Sequence, residues 1–127
     1  MVATGNFESA ILNSNDGITW TIPGTLLFSA PRSVTWSAPV GRFLLVGTNG
    51  FTAVSSNGVT NWTNEQTLVG DNINDVIWYD RQNRYYAVGN STWVYYSTTG
   101  LEDMRSKKLV LGGAPNILAI AAGAFVP

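Results

Sequence analysis

Apolar positions in this chain come in short runs of strand length, separated by turns rich in Gly and Asn. Residues 33–63 read SVTWSAPVGRFLLVGTNGFTAVSSNGVTNWT, and residues 75–100 read DVIWYDRQNRYYAVGNSTWVYYSTTG. Each stretch holds three runs rich in Val, Thr, Trp, Tyr and Phe, the residue types that suit a pleated, half-buried surface. The breaks between them carry the residues that tight turns require. The pattern predicts consecutive hairpins and no long helix.

The runs recur at a spacing of 42 residues. Gly5, Gly47 and Gly89 keep that spacing, as do Trp36, Trp78 and Ile120, and Ser14, Ser56 and Ser97 follow with a one-residue wobble. A repeat of this length is the signature of a β-propeller, in which each unit is a blade of four antiparallel strands. The expected fold is therefore all-β and a single domain over 1–127, with one blade at 33–69 and another at 75–111. A third is shared between 1–27, which matches the second strand onward, and 116–127, which matches the opening strand.

Closing such a chain on itself gives three blades, below the usual minimum of four. The expectation is a homo-oligomer in which Ile117, Leu118, Ile120, Phe125 and Val126 of one copy complete the N-terminal blade of another. A dimer of six blades is favoured over a trimer of nine. The competing expectation is that the chain is a piece of a longer propeller.

Only 12% of residues are charged, against about 25% in an average domain, and 45% are hydrophobic. Net charge is −1 with seven Lys plus Arg, which supplies no electrostatic footprint for nucleic acid. There is neither Cys nor His. That removes disulfides, thiolate and imidazole metal sites, and the Ser-His and Cys-His nucleophile pairs. No cofactor or metal is expected; Asp71-Asn72-Ile73-Asn74-Asp75 is oxygen-rich but lacks a Ca²⁺-loop pattern and reads as a turn. No basic region followed by an apolar run marks a secretory signal at the N-terminus. Residues 109–127 carry no charge, yet Gly112, Gly113, Pro115, Asn116 and Gly123 interrupt them, so a buried inner strand is expected rather than a membrane span.

Ser14-Asn15-Asp16-Gly17-Ile18-Thr19-Trp20 resembles the Asp-box, or BNR repeat, of sialidase-like propellers. Ser56-Asn57-Gly58-Val59-Thr60-Asn61-Trp62 is a second, looser copy, and Ser97-Thr98-Thr99-Gly100 a third that lacks the Asp and the Trp. The resemblance implies a structural role: Ser14, Asp16, Thr19 and Ser56 tie turns, Gly17 and Gly58 permit positive φ, and Trp20 and Trp62 pack between sheets. Sialidases of this family use an Arg cluster, a Tyr nucleophile and acidic partners. Here Arg42 and Arg84 occupy equivalent strand-start positions, and no acid pair of the kind glycoside hydrolysis needs can be placed beside a Tyr. No catalytic residue is named and no enzyme is expected.

The third unit holds the candidate binding residues, against the competing expectation that Trp93 and Tyr95 simply fill the gap between blades. Trp93 and Tyr95 replace the smaller residues of its siblings, and Tyr79, Arg81 and Asn83 lie in its first loop. Aromatic faces stack on sugars or partner side chains, and Arg and Asn add directional hydrogen bonds. Phrases such as RFLLVGTNG and RYYAVGN resemble those of bacteriophage tail and virion proteins and of bacterial surface proteins, so a virion is the expected location and a cell surface or extracellular one the alternative. That resemblance implies a non-enzymatic virion component, for decoration or attachment, whose partners are other virion proteins and possible surface glycans. A glycan-binding lectin is the alternative, and a sialidase-like hydrolase a more distant one.

Overall fold

The computed structural model describes residues 1–4, 11–22, 30–66, 70–100, 103–110 and 112–123. The chain is all-β. Its strands are β1 (Val2–Thr4), β2 (Ile11–Asn13), β3 (Pro31–Ser37), β4 (Arg42–Gly47), β5 (Phe51–Ser55), β6 (Thr63–Gln66), β7 (Ile73–Tyr79), β8 (Arg84–Gly89), β9 (Trp93–Ser97) and β10 (Arg105–Lys108). They form two antiparallel four-stranded meanders, β3-β4-β5-β6 and β7-β8-β9-β10, and a short antiparallel pair β1-β2. Helical geometry among the described residues is confined to single 3₁₀ turns such as Asp80–Gln82.

The hairpins form where turn residues sit between β-branched and aromatic runs. Strands β3 and β7 open at Pro31 and Ile73, ahead of the expected Ser33 and Asp75. A register shift between Pro31 and Ser33, and again between Ile73 and Asp75, admits the extra residues. The repeat thus extends to an irregularity that no residue type announces.

Neighbouring sheets meet through bonds that span one repeat. Ser33 Oγ donates to Asp75 Oδ1 at 2.6 Å and Arg32 donates to Asn74 Oδ1 at 3.1 Å, each across 42 residues. Across 43 residues, the Trp78 amide donates to Thr35 Oγ1 at 3.2 Å, and the Tyr85 hydroxyl to the Arg42 carbonyl at 2.9 Å. Behind these bonds lie two apolar clusters. Leu44, Val46 and Val54 pack against Ile73, Val76, Tyr85, Ala87 and Tyr95. Ile11 packs against Leu45, Phe51 and Ala53, with Val2, Val34 and Trp62 at the margin. Alternate residues of β4 therefore serve opposite clusters, as the period of two along a strand requires. Each large side chain so buried contributes about 1.5–3 kcal/mol before ordering entropy.

The segment 117–120 lies beside β7 much as β7 lies beside β3. Asn74 Nδ2 donates to the Ile117 carbonyl at 2.9 Å, and the Ile120 amide donates to Asp75 Oδ2 at 3.0 Å. It lies alongside β7 but pairs in no sheet, and Leu118 is 70% exposed. The expected burial of this strand is not realised within one chain, because none of the described strands lies along its far edge. Phe125 and Val126 lie outside the described residues.

Candidate functional site

Three structural turns follow β2, β5 and β9. In the first, Asp16 Oδ1 accepts the amides of Ile18 and Thr19, both at 2.8 Å, and the Ser14 hydroxyl at 3.0 Å, while Ser14 Oγ accepts the Gly17 amide at 2.7 Å. The two backbone donors and the hydroxyl hold the Asp16 carboxyl down at about 2. In the second turn, Asn57 Oδ1 accepts the amides of Val59 and Thr60, and Ser55 Oγ accepts the Gly58 amide at 3.0 Å. The serine of this turn is Ser55, and the expected Ser56 is exposed instead. The spacing from Ser14 to its true counterpart is one residue short of the period, so a strict 42-residue offset picks the wrong neighbour.

The third turn is complete. Asp103 reaches back to receive the Ser97 hydroxyl, the Thr98 amide at 2.8 Å, the Thr99 amide at 3.1 Å and the Thr99 hydroxyl at 2.8 Å. Burial raises its pKa, but the Ser97 and Thr98 hydroxyls and the Thr98 and Thr99 amides outweigh that and hold the carboxyl well below its usual range. The motif that looks decayed in sequence thus takes its carboxylate from a later position.

Thr19 is exposed with its amide bound to Asp16, and Gly17 and Gly58 both have positive φ. Trp62 packs at the margin of the Ile11 cluster, as expected of a residue between sheets. Trp20 does not: it is 39% exposed, with its indole N–H donating to the Gly17 carbonyl at 3.2 Å. No described sheet covers that side of the turn.

The five aromatic and polar candidates separate into two places. Tyr79 is half-buried at the end of β7, Arg81 and Asn83 are exposed in the turn that follows, and Asn83 adopts a left-handed φ of 49°. Trp93 and Tyr95 face the β3–β6 sheet instead. Tyr95 is 1% exposed within the larger apolar cluster, and its hydroxyl has no hydrogen-bond partner among the described residues. Burial, reinforced by the negative charge of Asp71, pushes that hydroxyl up to about 12. Trp93 packs against the same cluster beneath Lys108 Nζ, 5.8 Å from its ring centre. Tyr95 is therefore core and closed to a ligand.

Tyr79 has neighbours that the linear pattern does not show. Its ring centre lies 6.5 Å from that of Tyr86, whose hydroxyl donates to Gln82 Oε1. With Ile77 and residues 120–123 they line a cavity of about 340 Å³. A second cavity, of about 440 Å³, lies along the first turn between Asn13, Asp16, Thr21 and Val59. The oxygen-rich stretch acts as a tie: Asn72 Oδ1 accepts the Asn49 amide, Asn74 bonds Asn90, and Asp75 bonds Ser33. Its alignment with Ser33 and Ile117 in the repeat is the signal for that role.

No protein-family model matches the chain, and no curated protein matches it.

Proposed function

We propose that the chain is a non-enzymatic contact module: an arc of a β-propeller, with its four-stranded sheets as blades, serving as a decoration or attachment component of a phage-type particle. The observation that carries this reading is the recurrence of inter-sheet bonds at one-repeat separations, Ser33 to Asp75 and Thr35 to Trp78. Inner strands laid side by side at a fixed repeat are how radial blades pack. The particle setting is supported by the likeness of RFLLVGTNG and RYYAVGN to phage tail and virion sequences. A contact role is supported by the use of the carboxylates. Asp16, Asp75 and Asp103 all accept hydrogen bonds from the scaffold, which engages them in holding turns and sheets together rather than in acid–base work.

The exposed β7–β8 turn, with Arg81 and Asn83, and the half-buried Tyr79 at its base are the contact surface. Purified chain passed over immobilised particle shells and over a glycan array tests this. Shell binding that weakens about tenfold in Arg81→Ala, the scale of 1.4 kcal/mol, is the expected result. Turnover of any glycoside, or binding to sugars alone, overturns it. The lectin reading draws on the Tyr79–Tyr86 pair with Gln82 beside it, an arrangement suited to stacking on a sugar ring. It requires sugar binding that Tyr79→Ala abolishes.

A further inference from the structure

We infer that the β8–β9 turn is a latch: Ser91 and Thr92 hold the crossing at 109–116, which leads from β10 to segment 117–120, in a closed state that strains their own backbone, and the turn relaxes when the crossing is released. The latch belongs to the chain itself and is independent of any particle.

The turn adopts a conformation that its residues do not favour. One repeat earlier, the β4–β5 turn places Asn49 and Gly50 at φ of 53° and 70°. Two successive left-handed residues make the tight turn whose twist matches that of paired strands, and Asn-Gly is the pair best suited to it. The counterparts Ser91 and Thr92 take the same geometry, at φ of 53° and 65°. Ser thus stands in the place of Asn, and a β-branched residue in the place of Gly, where its side chain crowds the left-handed backbone. A residue in that state persists only where its surroundings over-determine it.

The surroundings are the crossing. Thr92 is fully buried, and its Oγ1 donates to the Leu109 carbonyl at 2.7 Å while lying 2.6 Å from the Ser91 carbonyl. The Thr92 carbonyl accepts the Leu109 amide at 3.0 Å, and the Thr92 amide donates to the Pro115 carbonyl at 3.0 Å. The Ser91 amide donates to Asn116 Oδ1 at 3.1 Å, and the Gly89 carbonyl accepts the Ile117 amide at 3.0 Å. One short turn therefore grips the crossing at both ends, at Leu109 and at 115–117. The hydroxyl that reaches Leu109 is what Thr adds over the Gly of the earlier turn. Strain is present on the crossing too, where Ala114 has a φ of 45°.

Bonds to a single segment hold this arrangement together and backbone strain on both sides opposes it, a balance that yields two states rather than a graded response. In the open state Thr92 returns to negative φ, its hydroxyl keeps the Ser91 carbonyl, and the groups at Leu109 and 115–117 turn to water. Segment 117–120 then loses the Gly89 tie and is left with Asn74 on the Ile117 carbonyl and Asp75 on the Ile120 amide. The latch thus sets how firmly 117–120 is docked beside β7.

Hydrogen exchange on the full chain under native conditions tests this. The amides of Ser91, Thr92, Leu109 and Ile117 are expected to exchange as one group, faster than that of Ala87 in the middle of the same sheet. Thr92→Val keeps the branched shape and the strain but removes the hydroxyl, and should speed the group about tenfold. Ser91→Asn restores the residue type of the relaxed turn and keeps every bond to the crossing, so it should slow the group several-fold. Exchange of the four amides only together with Ala87 overturns the latch. So does a Ser91→Asn chain whose group exchanges no more slowly than the parent's, a comparison that decides the matter alone if Thr92→Val does not fold.

Discussion

Asp75 is held from both of its sides: Oδ1 receives the Ser33 hydroxyl at 2.6 Å, and Oδ2 receives the Ile120 amide at 3.0 Å. One carboxylate thereby links β3, its own β7 and the segment 117–120. Asp75→Ala leaves the hydroxyl and the amide without an acceptor, a loss of about 1–3 kcal/mol. Urea unfolding should show that loss, and hydrogen exchange at Ile120 should quicken. An unchanged midpoint with a still-protected Ile120 amide would remove Asp75 from this role.

The Ser97 turn makes a separable prediction. Asp103 accepts donors that Asp16 and Asn57 receive from their own turns at the position of Thr99. Asp103→Ala should cost about 1–3 kcal/mol. Adding Thr99→Asp should recover much of it, since the carboxylate then returns to the place it holds in the first turn. A double-mutant cycle with no coupling between the two positions would show that they do not share a function.

Low pH should weaken the same turns. The folded-state carboxyl of Asp16 lies at about 2, below its ordinary 3.8, so the unfolded chain binds that proton more readily. Its stabilising contribution is therefore complete above about pH 4, and is lost as pH falls through 2. Asp103 is shifted in the same direction. Asp16→Asn should flatten the acid limb of a stability–pH profile; a limb of unchanged steepness would assign the titration elsewhere.

Gly58 is constrained twice over. Its φ is 72°, and a Cβ there would lie 2.3 Å from Val2 Cγ2 and 3.1 Å from the Phe43 ring. Gly58→Ala should cost about 1–3 kcal/mol from the left-handed backbone alone, with the β1 contact displaced in addition. A thermal midpoint equal to that of the unsubstituted chain would mean that the turn and β1 can shift to accept it.

Tyr95 should behave in the opposite sense. Its buried hydroxyl has no partner, so Tyr95→Phe removes a desolvated polar group without opening a cavity. Stability at neutral pH should hold or rise, by up to about 1 kcal/mol. At high pH the sign is also fixed: a folded pKa of about 12 above an ordinary 10.0 gives stability that is full below pH 10 and is lost as pH climbs toward 12. Tyr95→Phe should lessen that alkaline loss, and an unaltered alkaline profile would count against it.

Much of this protein is legible in its residues because strands and turns are local. Runs such as RFLLVG and WVYYS, bounded by Gly and Asn, specify hairpins without reference to the rest of the chain. The period then orders those hairpins into equivalent sheets, and Arg42 and Arg84 do open equivalent strands. Asp16 and Gly17 are readable for the same reason, since their donors lie within three residues. What the sequence could not decide depends on distance. Ser55 displaces Ser56 because a hydroxyl must point at the turn, and alternation sends neighbouring residues to opposite faces. Asp103 completes the third turn because the chain folds back there. Trp93 and Tyr95 read from sequence either as a ligand platform or as filling between sheets, and the neighbouring sheet laid over them decides for the second, whereas Tyr79 gains Tyr86 and Gln82 only when β7, its turn and β8 close into a hairpin. The sequence by itself determined which segments are strands and that they repeat; the tertiary structure decided which faces are buried, because burial belongs to neighbours that linear order does not specify.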